Sequence, residues 1–139
     1  GLILMKRTTT KKISLDAMLN KVKDRKSGAV VLFLGSVRGT SNGRKVLRLE
    51  YEAHIQMAER ALKSIEEEAR KRTNARKVAI LHRLGRVNAG ELCTAIAASA
   101  THRDEAFQAC RFCIDNIKRR AFIWKKEVFS NGGRWKADD

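Results

Sequence analysis

The sequence predicts an α+β fold in a single domain. Two long amphipathic patterns have the spacing of helices, whereas several short apolar or alternating runs have the length of strands. The strand patterns are often neighbours along the chain, which is typical of α+β proteins. The 139 residues contain no proline, and no repeat or low-complexity tract divides them. We therefore expect one domain over residues 1–139.

The first third of the chain predicts a strand, a short helix and a second strand. Residues 2–13 alternate enough for an edge strand. Ser14 can cap a short helix whose apolar side carries Leu15, Met18, Leu19 and Val22. Residues 29–34 are a continuous apolar run, which is typical of a buried strand. The turn formers of residues 39–43 then predict a loop.

The middle of the chain predicts a strand, a long helix and a hairpin. Residues 46–52 alternate as a strand does, and residues 55–72 place alanine, leucine and isoleucine on one helical face. Residues 77–84 and 92–100 read as strands joined by the turn at residues 88–90, which predicts a hairpin.

The last third predicts a helix, a strand and a turn. Thr101 and Asp104 can cap a helix that runs to about Arg120. Residues 122–129 have the character of a strand, and residues 131–133 that of a turn.

Charge is the strongest compositional signal. Lysine and arginine number 30 against 15 acidic residues, so the net charge is +15. Such a surface attracts polyanions, anionic small molecules or acidic proteins. Aromatic residues are only 6% of the chain, and no run alternates them with basic residues, so nucleic-acid stacking is not specifically indicated.

Cysteine usage and hydropathy predict a soluble, cytoplasmic protein. Three cysteines make no paired framework, which fits a reducing compartment. No apolar run approaches the roughly 20 residues of a membrane helix. Cys110 and Cys113 form a C-x-x-C that could be half a zinc site or a redox pair. Their helical spacing with Ala106 and Ile117 favours core packing instead.

Three stretches could bind anions. The first is the strand end at Ser36, Val37 and Arg38, where a guanidinium can bind phosphate or carboxylate. The second is the helix start at His102 and Arg103, where backbone N–H groups favour an anion. Each of these could equally be incidental surface charge.

The third stretch joins Lys118, at a predicted helix end, to Lys125 on the next strand. A tight return of the chain would bring the two amines together, as in sites where lysine acts as nucleophile or proton donor. Ordinary surface lysines are the alternative. His82, in a predicted buried strand, is best interpreted as structural.

Read in order, several stretches resemble the large subunit family of molybdopterin synthase. The resemblance covers about residues 28–136. The matching segments are Gly28-Ala29-Val30-Val31, Phe33 to Arg38, Leu49 to His54 with Met57-Ala58, Ile80 to Gly85, His102-Arg103 with Ala106-Phe107, Lys118 spaced to Trp124-Lys125-Lys126-Glu127, and Arg134-Trp135.

The resemblance implies a fold, a reaction and a set of partners. The fold is the α/β hammerhead type, with a mixed or antiparallel sheet and flanking helices. The family forms homodimers, and each subunit binds a small ubiquitin-like carrier, which gives a heterotetramer. Sulfur passes from the carrier's C-terminal Gly-Gly thiocarboxylate to cyclic pyranopterin monophosphate and forms the dithiolene of molybdopterin. No metal or other cofactor is implied.

Site residues follow from the same resemblance. Lys118 and Lys125 are the implied catalytic residues. The implied substrate-binding residues are Ser36, Val37, Arg38, His102, Arg103, Lys126, Glu127 and Arg134. One position departs from the family pattern, because Phe122 stands where a proline usually precedes the tryptophan by two residues. A basic module that binds RNA and an inactive scaffold for the carrier remain the alternatives.

Overall fold

The structure is a computed structural model that describes residues 4–132 and, for the backbone, residues 134–137. In this part the chain forms three helices and nine strands, which confirms the α+β class. The helices are α1 (Leu15–Val22), α2 (Ile55–Thr73) and α3 (Arg103–Arg120). The strands are β1 (Thr8–Thr9), β2 (Ala29–Ser36), β3 (Thr40–Ser41), β4 (Arg44–Ala53), β5 (Lys77–Arg83), β6 (Gly85–Asn88), β7 (Leu92–Ala100), β8 (Ile123–Phe129) and β9 (Arg134–Ala137).

One sheet lies between helices. Its strand order is β1-β5-β7-β2, antiparallel except where β1 runs parallel to β5. Alternate residues of β7 point to opposite faces, as strand geometry requires. Ile96 packs with Leu62 of α2 and Cys113 of α3, whereas Ala97 packs with Met18 of α1. The sheet is therefore covered on both faces.

The second sheet has its own core. Its strand order is β3-β4-β8-β9. Strand β6 also pairs with β4, on the edge that faces away from β8. Leu49, Tyr51, Val87 and Phe129 pack together beneath this sheet. The chain crosses from β5 to β6 at Gly85, whose φ of 83° lies in the left-handed region that glycine adopts without strain.

Most predicted elements are present. Ser14 caps α1 as expected, since its hydroxyl accepts from the Ala17 N–H at 3.2 Å. Helix α2 buries Ala58, Leu62 and Ile65 on the predicted face. None of the described helices is long and apolar enough to cross a membrane.

Several local expectations were wrong. Strand β2 is only half-buried, with Val30 49% and Phe33 37% exposed, because it lies at one end of its sheet. The predicted N-terminal strand is short, with β1 at Thr8–Thr9, and residues 2 and 3 lie outside the described residues. Helix α3 has His102 as N-cap, and no side chain makes the capping bond expected of Thr101 and Asp104.

The connections also differ from the expectation. Strands β5 and β7 do pair antiparallel, but β6 lies between them in sequence and joins the other sheet. Within the predicted loop of residues 39–43, Asn42 and Gly43 turn the chain between β3 and β4 with φ of 51° and 78°. Positive φ at both positions is typical of a tight hairpin turn. Strand β9 was not expected.

Candidate active site

A cleft of about 660 Å³ lies where the two sheets meet the C-terminal end of α3. Its walls come from β2 to β5, from the start of β7, from α3 and from β8. The lining residues are Phe33, Gly35, Ser36, Arg38, Thr40, Ser41, Leu49, Tyr51, His82, Cys93, Thr94, Ile114, Ile117, Lys118, Ile123, Trp124, Lys125 and Glu127. Such a mixture of apolar walls and a few converging polar groups is typical of ligand sites.

Both candidate lysines line this cleft. Lys118 is exposed in the last turn of α3, and Lys125 is half-buried on β8. The chain returns through Ala121, which ends the helix, and Phe122, which adopts a left-handed φ of 57°. The tight connection expected from the lysine spacing is therefore present.

Arg38 adds a third cation. It is exposed, two residues beyond the end of β2, and lines the cleft with Ser36. In the described part of the chain, neither the Arg38 nor the Lys118 side chain makes an ion pair or hydrogen bond. Both remain available to an anion. Glu127 is the only carboxylate among the lining residues that the structure describes.

Two other predicted residues lie outside the cleft. Val37 is buried in the core of the second sheet, and its N–H donates to the Glu91 carbonyl at 3.0 Å. Its backbone donor is therefore already used. Lys126 is one residue from Lys125 on β8, so its side chain points to the other face. There its Nζ lies 3.1 Å from Glu52 Oε1, while the Trp124 indole donates to the same carboxylate.

His102 and Arg103 lie at the opposite end of α3. They border a separate depression with Gly28, Ala29, Thr101 and Asp104. The rise of about 1.5 Å per residue puts Arg103 and Lys118 roughly 22 Å apart along the helix. Within one chain, His102 and Arg103 therefore lie too far from the cleft to contribute to it. The Arg134 side chain lies outside the described residues, although its backbone begins β9.

Sequence reasoning missed His82 as a cleft residue. Burial, the larger cause, and the charge of Lys125 lower the pKa of His82 from 6.5 to about 4, although its bond to the Arg83 carbonyl opposes this. The ring is therefore neutral near pH 7. Its position depends on the packing of β5 against Tyr51 of β4, which no local pattern reveals. Cys93 of β7 is buried and also lines the cleft.

The C-x-x-C cysteines are core residues. Cys110 and Cys113 are buried and reduced, and both belong to the core between α3 and its sheet. Burial raises the pKa of Cys110 to about 11 and raises that of Cys113 further. Neither thiol is therefore ionised near pH 7. Among the residues that the structure describes, no three His, Cys, Asp or Glu side chains are grouped for a metal ion.

Comparison with known proteins identifies the family. The family model described as MoaE protein matches residues 8–120, which is most of the chain. The chain belongs to the MoaE protein family. This assignment agrees with the resemblance that the sequence motifs indicated.

Individual relatives carry more specific names. A molybdopterin synthase catalytic subunit of Thermoplasma volcanium is 41% identical over 91% of this chain and 93% of its own length. One from rice is 43% identical over 90% of this MoaE chain, which spans only 65% of the rice protein. The crystal structure of molybdopterin synthase from Staphylococcus aureus superposes with a TM-score of 0.92 at 31% identity, covering 99% of this chain and 100% of that one.

Proposed function

We propose that this MoaE chain is the catalytic subunit of a molybdopterin synthase. It transfers sulfur from the C-terminal thiocarboxylate of a small ubiquitin-like carrier to cyclic pyranopterin monophosphate. The observation that carries the proposal is the cleft itself, in which Arg38, Lys118 and Lys125 converge from three segments of a MoaE family member.

The charges of the cleft suit this pair of reactants. A thiocarboxylate and a cyclic phosphate are both anions, and converging cations can hold them together before they react. Lys118 and Lys125 orient the thiocarboxylate and move protons. Arg38 binds the phosphate through its planar guanidinium, with Ser36 beside it. Glu127, two residues from Lys125 on β8, completes the wall on the same face of the strand.

The second group of predicted residues requires a second copy of the chain. His102 and Arg103 begin the helix whose last turn carries Lys118, so they cannot reach the same substrate molecule within one chain. In a symmetric homodimer, the first turn of α3 in one copy can approach the cleft of the other. We therefore include His102 and Arg103 in the site as contributions of the partner copy. Lys126 and Arg134 stay proposed substrate-binding residues, with Lys126 on the other face of β8.

The carrier is the other partner. The relatives are each described as a subunit, which supports an assembly with a further protein chain. One carrier on each copy of a homodimer gives a heterotetramer. The excess positive charge of +15 steers both an acidic carrier and the anionic pterin to the protein. The cytoplasmic location and the single domain over residues 1–139 belong to the same proposal.

Reconstitution tests the reaction directly. The chain is mixed with a thiocarboxylated carrier and the cyclic precursor, and the dithiolene product is measured. We expect product with the natural sequence and with Arg25→Ala, a control at an exposed arginine away from the cleft. Arg38→Ala should lose most activity. Absence of product with the natural sequence would refute the proposal.

Salt dependence separates this function from RNA binding. Nonspecific RNA binding should weaken steeply with rising salt, because many counterions are released together. Binding of the precursor involves few charges and should weaken only gently. Calorimetric titrations of each ligand across a salt series measure the difference. Tight RNA binding at physiological salt, with no binding of the precursor, would favour the basic module.

A further inference from the structure

His82 lines the cleft but has no role among the residues predicted from the sequence. It is the sixth residue of β5 and is only 6% exposed. The ring of Tyr51 packs against it edge-on, with the ring centres 4.8 Å apart. A polar ring at such a buried position needs hydrogen-bond partners for its two nitrogens. Its contacts therefore indicate what it does.

One ring nitrogen has a fixed partner. Nδ1 lies 2.7 Å from the carbonyl oxygen of Arg83. A carbonyl can only accept, so this contact assigns the ring proton to Nδ1. Nε2 is then an unprotonated nitrogen with a free lone pair. Since burial keeps the ring neutral near pH 7, Nε2 is a permanent hydrogen-bond acceptor.

Nε2 opens onto the cleft. Within residues 4–132, no group donates a hydrogen bond to it. In this part of the chain, the fully buried polar side-chain atoms without a partner are Arg83 Nε and Ser99 Oγ. Nε2 of His82 is not one of them, so this nitrogen is partly exposed. Because His82 also lines the cleft, its accepting nitrogen has access to the space where a ligand would bind.

Lys125 is the donor that the fold brings to this acceptor. Strands β4 and β8 pair Tyr51 directly with Lys125, and side chains of such a pair share one face of the sheet. Tyr51 in turn contacts His82. The positive charge of Lys125 also acts on the His82 ring, which shows that the two groups are close.

We propose that His82 is a positioning residue of the cleft, whose Nε2 accepts a hydrogen bond from the Lys125 ammonium once an anion is bound. Catalytic hydrogen bonds commonly tighten only in the complex. The ammonium has three donors, so a bond to His82 leaves others for the anion and for further partners. A neutral acceptor orients Lys125 without cancelling its charge, as a carboxylate would. The inference rests on the proposed function only for the identity of the anion.

Three substitutions separate this role from a purely structural one. His82→Gln keeps an acceptor near the position of Nε2, His82→Asn keeps a donor near Nδ1, and His82→Leu keeps neither. If His82 positions Lys125, the Gln variant should retain most of the wild-type kcat in the sulfur-transfer assay. The Asn and Leu variants should lose about tenfold, the effect of one hydrogen bond to a charged group. Full activity in the Asn variant with loss in the Gln variant would overturn the proposal.

A second measurement does not depend on sulfur transfer. Lysine ammonium groups are observed by NMR after nitrogen-15 labelling, with inorganic phosphate present as the anion. The Lys125 signal is assigned as the one lost in Lys125→Arg, and the exposed Lys63 of α2 is the internal control. The Lys125 ammonium should be equally rigid in the wild type and in His82→Gln, and should be more mobile in His82→Asn and His82→Leu, which keep only its other contacts.

The two measurements have distinguishable failures. Equal mobility of the Lys125 ammonium in all four proteins would overturn the role of His82, whatever the enzyme does. If the wild type transfers no sulfur, the proposed function fails. The positioning role still stands if the Lys125 ammonium is less rigid in His82→Leu than in the wild type. Thermal melting of each variant confirms that the comparison is made between folded proteins.

Discussion

Helix α3 carries predicted anion-binding residues at both of its ends, and the two ends are built differently. Lys118, in the last turn, faces a cleft whose walls come from both sheets. His102 and Arg103, at the first turn, border a depression formed by only two segments of the chain. A helix end with nearby cations is therefore insufficient in itself. The site needs strands from elsewhere in the chain to supply its walls and further charges.

The largest effect should come from the cleft end of α3. Lys118→Ala should reduce sulfur transfer on the order of 100-fold to 1,000-fold, because it removes a cation that stabilises charge in the reaction. The free energy of unfolding should change little, since the side chain is exposed. Lys63→Ala, at an exposed position of α2, is the matched control. Near-normal turnover of Lys118→Ala would remove this lysine from the catalytic residues.

The connection that follows the cleft end should tolerate no proline. Phe122 has a φ of 57°, whereas proline holds φ near −65°. Phe122→Pro should lower the free energy of unfolding by about 3 kcal/mol, although the family usually has proline here. Phe122→Gly, which accepts positive φ, should raise it by up to about 1 kcal/mol. Urea denaturation measures both, and a stable proline variant would show that the connection can change its path.

His82 should make the cleft end sensitive to acid. Its pKa is about 4 in the folded chain and 6.5 when exposed, so the unfolded chain binds the proton more readily between these values. This difference contributes nothing above pH 7. It should lower the free energy of unfolding by about 2 kcal/mol as pH falls from 7 to 4.5.

Comparison with His82→Gln isolates this contribution. The variant lacks the titrating ring but keeps the carboxylates, including Glu66, whose pKa burial raises despite its contacts with Arg7. Urea denaturation at pH 7 and at pH 4.5 measures how much free energy of unfolding each protein loses on acidification. The wild type should lose more than His82→Gln. Equal losses in the two proteins would mean that His82 is not the group responsible.

Mixing experiments test whether the two ends of α3 act on one substrate. Lys118→Ala and Arg103→Ala are each expected to be impaired alone. If each site combines Lys118 of one copy with Arg103 of the other, random pairing after mixing restores about a quarter of the sites. Sites confined to single chains would gain nothing. Mixing two preparations of Lys118→Ala is the control, and its activity should not rise.

Local sequence patterns predicted the helices and strands that can be recognised without knowing what they pack or pair with. The spacing of apolar residues predicted helix α2, which is buried on one face, and strand β7, which is buried on both. The path of β6 into the second sheet could not be predicted, because it depends on pairing with β4. Strand β9 likewise exists through its pairing with β8.

The same limit applies to the site. The lysine spacing and the family resemblance indicated that Lys118 and Lys125 would share a cleft, because one short connection joins them. The predicted helix already put His102 and Arg103 at the opposite end from Lys118, but the sequence could not show that strands of both sheets surround only the Lys118 end. Nor could it show that His82 reaches the cleft, since Tyr51 and Lys125 come from strands distant in sequence.

The pairing of β4 with β8 determines when the cleft can form. Residues 46–53 must wait for residues 123–129, which are synthesised much later and carry Lys125. The strands and helices of the first sheet end at residue 120, and only Ala121 and Ile123 of the later residues pack in its core, so this part can begin to fold earlier. A nascent chain stalled before its last strands would thus hold a partly formed hydrophobic core but no binding site. Premature termination in this region should therefore yield a chain that lacks the cleft and binds neither of the proposed reactants.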